Sequence, residues 1–143
     1  MKKENHTLVL FGNLNVGKSV IFSQLCRKTY EYANYPGTTV SVGRGNFQNA
    51  RKKFQLIDIP GINNIIPNSE DEIISRNILL HENVDSIALI ADGKNLRRSL
   101  FLVFQLMDYE KSMVLNINMM DEARQRGINI NFKRLSSILG IHI

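Results

Sequence analysis

The stretch GNLNVGKS, Gly12 to Ser19, follows a short apolar run, Thr7 to Phe11, and leads into a segment with helical spacing. Two glycines around a four-residue gap, then a lysine and a hydroxyl, let the backbone curl round an anion with successive N–H groups pointing inward. A helix starting near Lys18 adds its positive dipole end. Strand, phosphate loop and helix in that order commit the chain to an α/β architecture that holds a nucleotide at the carboxyl ends of parallel strands. Gly12, Asn13, Leu14, Asn15, Val16, Gly17, Lys18, Ser19 and Val20 are the nucleotide-binding candidates of this loop. Lys18 is placed to reach the β and γ phosphates. Ser19 offers a hydroxyl to Mg²⁺, which takes oxygen ligands and keeps several waters.

The rest of the chain fits that architecture. Strand-like runs occur at Thr7 to Phe11, Val40 to Phe47, Phe54 to Ile59, Ser86 to Asp92, Met113 to Asn118 and, cut short, Ile141 to Ile143. Helical patterns lie between most of them. Val20, Ile21 and Leu25 recur at helical spacing after Ser19, Ser69-x-x-Glu72 is a capping box opening a helix through Leu80, Leu96 to Met107 is amphipathic, and Asn131 caps a helix that Gly140 ends. The alternation predicts a mostly parallel sheet covered on both faces. Only the second and third of these strands are joined by a short turn, Gln48 to Lys52, which predicts one antiparallel edge pair.

With 143 residues, 43% of them apolar, the chain is read as one domain, 1–143. No apolar run approaches the roughly 18 to 20 residues that span a bilayer, and Met1-Lys-Lys-Glu-Asn5 lacks the apolar stretch of a secretory signal, so a soluble cytosolic chain is expected. Cys26 sits in an apolar-periodic segment and reads as a packed thiol under reducing conditions. The formal charge is +5, but the basic residues are scattered. Arg51-Lys52-Lys53 reads as a hairpin turn and Arg97-Arg98 as a solvated helix face, so no nucleic-acid partner is expected. His6, His81 and His142 match no metal-ligand spacing.

Asp58-Ile-Pro-Gly61 ends an apolar run about 40 residues after Lys18. A carboxylate there, at the end of a strand beside the first, faces the same crevice and can hold a water of the Mg²⁺ shell. Gly61 can bring its N–H against the γ phosphate with no side chain in the way. In Tyr35-Pro-Gly-Thr-Thr-Val40, Gly37, Thr38 and Thr39 form a candidate nucleotide-sensing switch, with Thr39 placing a second hydroxyl on Mg²⁺ when a γ phosphate is present. Ser19, Thr39 and Asp58 are thus the Mg²⁺ candidates. Asn118-Met-Met-Asp121 ends the fifth of these strands. A fixed carboxylate at Asp121 can accept both N1–H and N2–H₂ of guanine, a bidentate contact that adenine cannot make. Asn116 offers a competing frame without the acid, and Met119 replaces the lysine common at the second motif position, its thioether stem still able to lie along the base.

Phosphate loop, switch threonine, Asp-x-x-Gly and Asn-x-x-Asp in this order define a P-loop GTPase (Ras-like) domain. This is a three-layer α/β fold, mostly parallel with one antiparallel edge strand. The detailed wording goes further: GNLNVGKS, NYPGTTV, LIDIPGIN, SEDEIISRNILL, DGKNLRRSLFLVFQLMD and LNINMMDEARQRGINI together resemble the cytosolic G domain of the ferrous iron transport protein B (FeoB) family. The resemblance implies a regulatory GTPase module, using GTP/GDP and Mg²⁺, at the cytoplasmic face of the cell membrane. Full-length relatives continue into a helical domain and a membrane-embedded Fe²⁺ channel. It also implies a K⁺ ion held against the phosphates by Asn15, three residues before the loop lysine, where other systems use an arginine finger. Ile62 stands where many small GTPases carry a water-orienting glutamine, so slow intrinsic hydrolysis is expected, with Asn15, Lys18, Thr39 and Gly61 acting at the transferred phosphate. A potassium-dependent RNA- or ribosome-associated assembly GTPase is the alternative, since some members of that group share a similar Asn15-type loop and Pro-Gly-Thr-Thr switch. GTPase domains normally continue past a strand like that at Ile141 into a base-contacting loop and a last helix. Without them, looser nucleotide binding and homo-oligomer formation through an uncovered face are expected.

Overall fold

The computed structural model describes residues 5–50 and 52–143. The reading of the first four residues, and that of Arg51 as part of a basic turn, lie outside them. Six strands form one sheet: β1 (Asn5–Gly12), β2 (Tyr30–Asn34), β3 (Ser41–Asn49), β4 (Lys52–Asp58), β5 (Ser86–Asp92) and β6 (Ser112–Asn118). Their spatial order is β2-β3-β4-β1-β5-β6. β4, β1, β5 and β6 run parallel, while β2/β3 and β3/β4 are antiparallel. Among the described residues five α-helices accompany the sheet: α1 (Lys18–Cys26), α2 (Glu70–His81), α3 (Leu96–Met107), α4 (Met120–Gln125) and α5 (Phe132–Leu139).

The mostly parallel sheet with an antiparallel edge agrees with the sequence reading, but the edge is one strand wider than expected. β2 occupies part of the polar stretch between α1 and the switch motif, and all five of its residues are exposed. The hairpin between β3 and β4 is also tighter, with Asn49 paired to Lys52 and only residues 50–51 between them. At the other end, residues 141–143 make a single parallel bridge, Val114 with His142, instead of a full strand.

Alternation along the parallel strands divides the core. Val9 and Phe11 of β1, Ile57 of β4, and Ile87, Leu89 and Ala91 of β5 pack with Ile74 and Ile78 of α2 and with Leu102, Val103 and Leu106 of α3. Leu10, Leu56 and Ala88 pack with Phe22 and Cys26 of α1 in a smaller cluster on the other face. The expected apolar face of α1 is corrected here. Val20 is 58% and Leu25 41% exposed, Ile21 is half-buried, and the inward positions are Lys18, Phe22 and Cys26. Burial, with a smaller contribution from the Asp58 charge, pushes the Cys26 thiol up from its ordinary pKa, as befits a packed thiol.

Helix ends follow the sequence signals. Ser69 accepts a hydrogen bond from the Glu72 N–H at 3.3 Å, although the Glu72 carboxylate reaches back to the Asn68 N–H, one residue earlier than in a standard capping box. Asn131 caps α5 by accepting from the Arg134 N–H, and Gly140 ends it with φ 68°. No helix of the described residues is long and apolar enough to cross a membrane.

Candidate functional site

The parallel strands β1, β4, β5 and β6 end on one side of the sheet, so the residues that follow them converge there. After β1 the loop 12–19 turns back on itself through two left-handed positions, Asn15 at φ 62° and Gly17 at φ 85°, before α1 starts at Lys18. Successive N–H groups in such a turn face a common concavity. A side chain at position 17 would be strained by the positive φ, and its Cβ would press on the Asn118 amide. Residues 13–20 and Gly61 enclose a cavity of about 300 Å³. A larger, more open hollow of about 790 Å³ lies at the far end of α1, beside Arg27, Lys28 and Phe47. None of the candidate phosphate-binding residues lines it.

Lys18 is buried and its Nζ donates to Asp58 Oδ1 at 2.5 Å and to the Ile59 carbonyl. Asp58, 2% exposed at the end of β4, receives the Ser19 hydroxyl on Oδ2 at 2.7 Å. Hydroxyl and carboxylate therefore converge as an all-oxygen pair at the mouth of the phosphate loop. A donor set this small fits Mg²⁺, which fills its octahedron with water and phosphate oxygens. Asn118 at the end of β6 donates from Nδ2 to the Val16 carbonyl at 2.9 Å, tying the base motif to the phosphate loop. Asp121 is exposed in the first turn of α4. Met119, at φ 57°, starts that turn, and Lys94 from the turn after β5 sets its ammonium 3.4 Å from the Met119 Sδ and 2.7 Å from Glu122 Oε2. An ammonium thus reaches position 119 from another part of the chain.

The switch segment lies apart from the 12–19 loop. Gly37, Thr38 and Thr39 do not line the phosphate cavity. Thr38 closes its own turn, its hydroxyl donating to the Tyr35 carbonyl and accepting from the Val40 N–H, and Thr39 is exposed. The group that does reach Asp58 is Tyr32, whose hydroxyl donates to Oδ2 at 2.7 Å. Burial, and next the bond to Asp58, push the Tyr32 phenol up to about 12.

Gly61 abuts Leu14, and the Ile62 N–H donates to the Gly12 carbonyl at 3.0 Å, so the segment after β4 lies against the phosphate loop. The Ile62 side chain points into the core, 2% exposed. A side-chain network absent from the sequence reading, buried at Asn13 and Ser99, holds this segment in place. Asn13 Nδ2 donates to the Ile62 carbonyl and to Asn63 Oδ1, Ser99 donates to Asn13 Oδ1 at 2.9 Å, and Arg98 donates to Asn63 Oδ1 at 2.7 Å. Gln105 adds bonds to Asn64 and to the Ile65 N–H. Arg98 therefore clasps the segment rather than belonging to a wholly solvated face. Asn13→Ala is expected to cost about 3 kcal/mol of stability in urea unfolding, because it strands the Ser99 hydroxyl and the Ile62 carbonyl in a buried place.

The model of the family described as "Ferrous iron transport protein B" matches residues 6–143. A curated relative, the Fe(2+) transporter FeoB of Methanocaldococcus jannaschii, is 39% identical over 105 residues, 73% of this chain and 16% of that protein. This chain thus spans about one sixth of that relative. Among solved structures, the G domain of the T. maritima FeoB iron transporter superposes with a TM-score of 0.90 at 33% identity, covering 96% of this chain and 84% of that one. The cytosolic domain of T. maritima FeoB in its GMPPNP form gives a TM-score of 0.91 at 35% identity, over 96% of this chain and 54% of that domain. With a matching family model over nearly its whole length and a phosphate loop, Asp58 and Asn118 joined at one crevice, the chain belongs to the ferrous iron transport protein B (FeoB) family, in the part that forms the G domain.

Proposed function

We propose that this domain binds GTP and GDP with Mg²⁺, hydrolyses GTP slowly with stimulation by K⁺, and acts as the regulatory module of a larger Fe²⁺ transporter at the cytoplasmic face of the membrane. The observation that carries the reading is the meeting of Lys18, Ser19 and Asp58 at the mouth of the 12–19 loop, with Asn118 bonded to that loop from the base side. The T. maritima relative, solved in GMPPNP and GDP forms, supports the choice of nucleotide. We read residues 1–143 as one nucleotide-binding unit.

In this reading Lys18 turns from Asp58 toward the β and γ phosphates, and the loop N–H groups fix the phosphate chain. Ser19 and Asp58 would hold Mg²⁺, with Thr39 as a further oxygen donor, and the ion would supply charge neutralisation for the transferred group. Gly61 offers its N–H to the γ phosphate. The buried Ile62 side chain cannot orient a water, so backbone groups are left to position it and turnover is slow. Asn15, at the rim of the cavity, would hold K⁺, whose charge would add to the electrostatic stabilisation of the transferred group.

Steady-state phosphate release in matched chloride buffers tests this. GTP hydrolysis is expected to be about tenfold or more faster in K⁺ than in Na⁺, the size of effect that one well-placed charge has on such a transition state. Asn15→Ala should bring the two rates together while GDP affinity stays close to that of the wild type. Equal stimulation in the variant would place the ion elsewhere.

A further inference from the structure

One side chain of the exposed strand β2 reaches the centre of the site. Tyr32 pairs in register with Gly43 of β3, and Gly43 with Asp58 of β4, so the three residues line up across neighbouring strands. The Tyr32 ring lies over Gly43 so closely that a Cβ there would stand 2.8 and 2.9 Å from two ring atoms, and only glycine leaves room for the phenol to cross β3. Phe22 of α1 and Tyr30 meet the ring edge-on, with centroids 5.6 and 6.1 Å away. The hydroxyl then donates to Asp58 Oδ2 at 2.7 Å, the oxygen that also receives Ser19.

The acceptor sites of that carboxylate are nearly full. An ionised carboxylate offers about two sites on each oxygen. Lys18 takes one on Oδ1, while Ser19 and Tyr32 take both on Oδ2. Ser19 can keep its proton on Asp58 while a lone pair of its own oxygen binds a metal. Tyr32 reaches in from another strand and takes the second acceptor site on the oxygen that receives Ser19, so a metal-bound water that donates to that oxygen competes with the phenol.

We propose that Tyr32 is a gate on the metal side of the site: its phenol competes with the water shell of Mg²⁺ for Asp58, so that Mg²⁺ engages a bound nucleotide only as β2 lets the phenol go. The proposal rests on the reading of Ser19 and Asp58 as the Mg²⁺ holders. β2 is suited to yielding, since it pairs with the sheet along one side only and buries none of its residues. Its release also frees the adjoining segment 35–40, which carries Thr39.

The test is a Mg²⁺ titration of binding to a fluorescent GDP analogue, run on the 143-residue chain, on Tyr32→Phe and on Ser19→Ala. Tyr32→Phe keeps the ring against Phe22, Tyr30 and Gly43 and deletes only the competing hydroxyl. Its Mg²⁺ midpoint is expected to fall about tenfold, the loss of one charge-assisted hydrogen bond, with affinity in EDTA unchanged. The tyrosine ultraviolet difference signal that Mg²⁺ and nucleotide produce in the wild type should shrink. A merely structural Tyr32 would weaken binding equally with and without Mg²⁺ and lower the melting temperature. An unmoved midpoint in Tyr32→Phe, with Ser19→Ala impaired in its Mg²⁺ response, overturns the gate and leaves the metal site standing. Binding that ignores Mg²⁺ in the wild type and in Ser19→Ala alike overturns the metal reading, and the gate with it.

Discussion

Lys18→Met is expected to abolish nucleotide binding at micromolar concentrations and to destabilise the free protein as well. The binding loss follows from two charge-assisted contacts to phosphate at about 1.5–3 kcal/mol each, or roughly 10²- to 10⁴-fold in affinity. The second loss follows from the Lys18 bond to Asp58, both groups being buried. Without the ammonium, that carboxylate keeps only the hydroxyls of Ser19 and Tyr32, which cannot balance its charge, at a cost of about 3 kcal/mol. Adding Asp58→Asn to the variant separates the effects. Thermal unfolding should recover much of the lost stability, because the uncompensated charge is gone. Calorimetric titration with GDP should still show no binding, because the phosphates have lost their cation. A single variant that is as stable as the wild type would mean that Asp58 is satisfied without Lys18.

Asp121→Asn should exchange guanine for xanthine. The carboxylate accepts from two guanine donors at once, and an amide can accept from one but must present its N–H₂ to the other. Xanthine carries a carbonyl where guanine carries its amino group, so the amide finds a partner there. GDP affinity is expected to fall by roughly 10²-fold or more and xanthosine diphosphate to bind better than GDP, as competition against a fluorescent nucleotide would read. Asp121 is held in the first turn of α4 next to Met119, and Lys94 bridges that turn to the end of β5. A variant that still prefers guanine would remove Asp121 from the base site.

The candidate residues that the sequence reading brings to one crevice are those whose motifs are contiguous. The 12–19 loop, Asp58 with Gly61, and Asn118 are short motifs at strand ends, and β5 and α3 have the bounds that their periodicity suggests. What escaped reading depends on partners far apart in the chain. Ser99 and Asn13 are separated by 86 residues, and Tyr32 and Asp58 by 26, and no local pattern pairs them. β2 escaped because Tyr-Glu-Tyr-Ala-Asn has no buried member, so the apolar alternation that marks a half-buried strand is missing and only its two tyrosines favour the extended form. The face of α1 was misjudged for a different reason. Hydrophobicity alone selects Val20, Ile21 and Leu25, but Lys18 must turn inward at the phosphate loop, and the positions four and eight residues on, Phe22 and Cys26, follow it into the core.

The position of β2 at the rim of the sheet also sets a timescale. Its amides are protected only by pairing with β3, so they exchange with solvent through local openings far smaller than global unfolding. Amides of β1, flanked by β4 and β5, wait for the whole sheet to come apart. Hydrogen exchange should therefore find two clocks three strand spacings apart, about 14 Å: a slow one in the strand that ends in the phosphate loop and a fast one in the strand that carries Tyr32. A ligand that rearranges the fast strand can change the surface of the domain many times over within a single opening of the slow one.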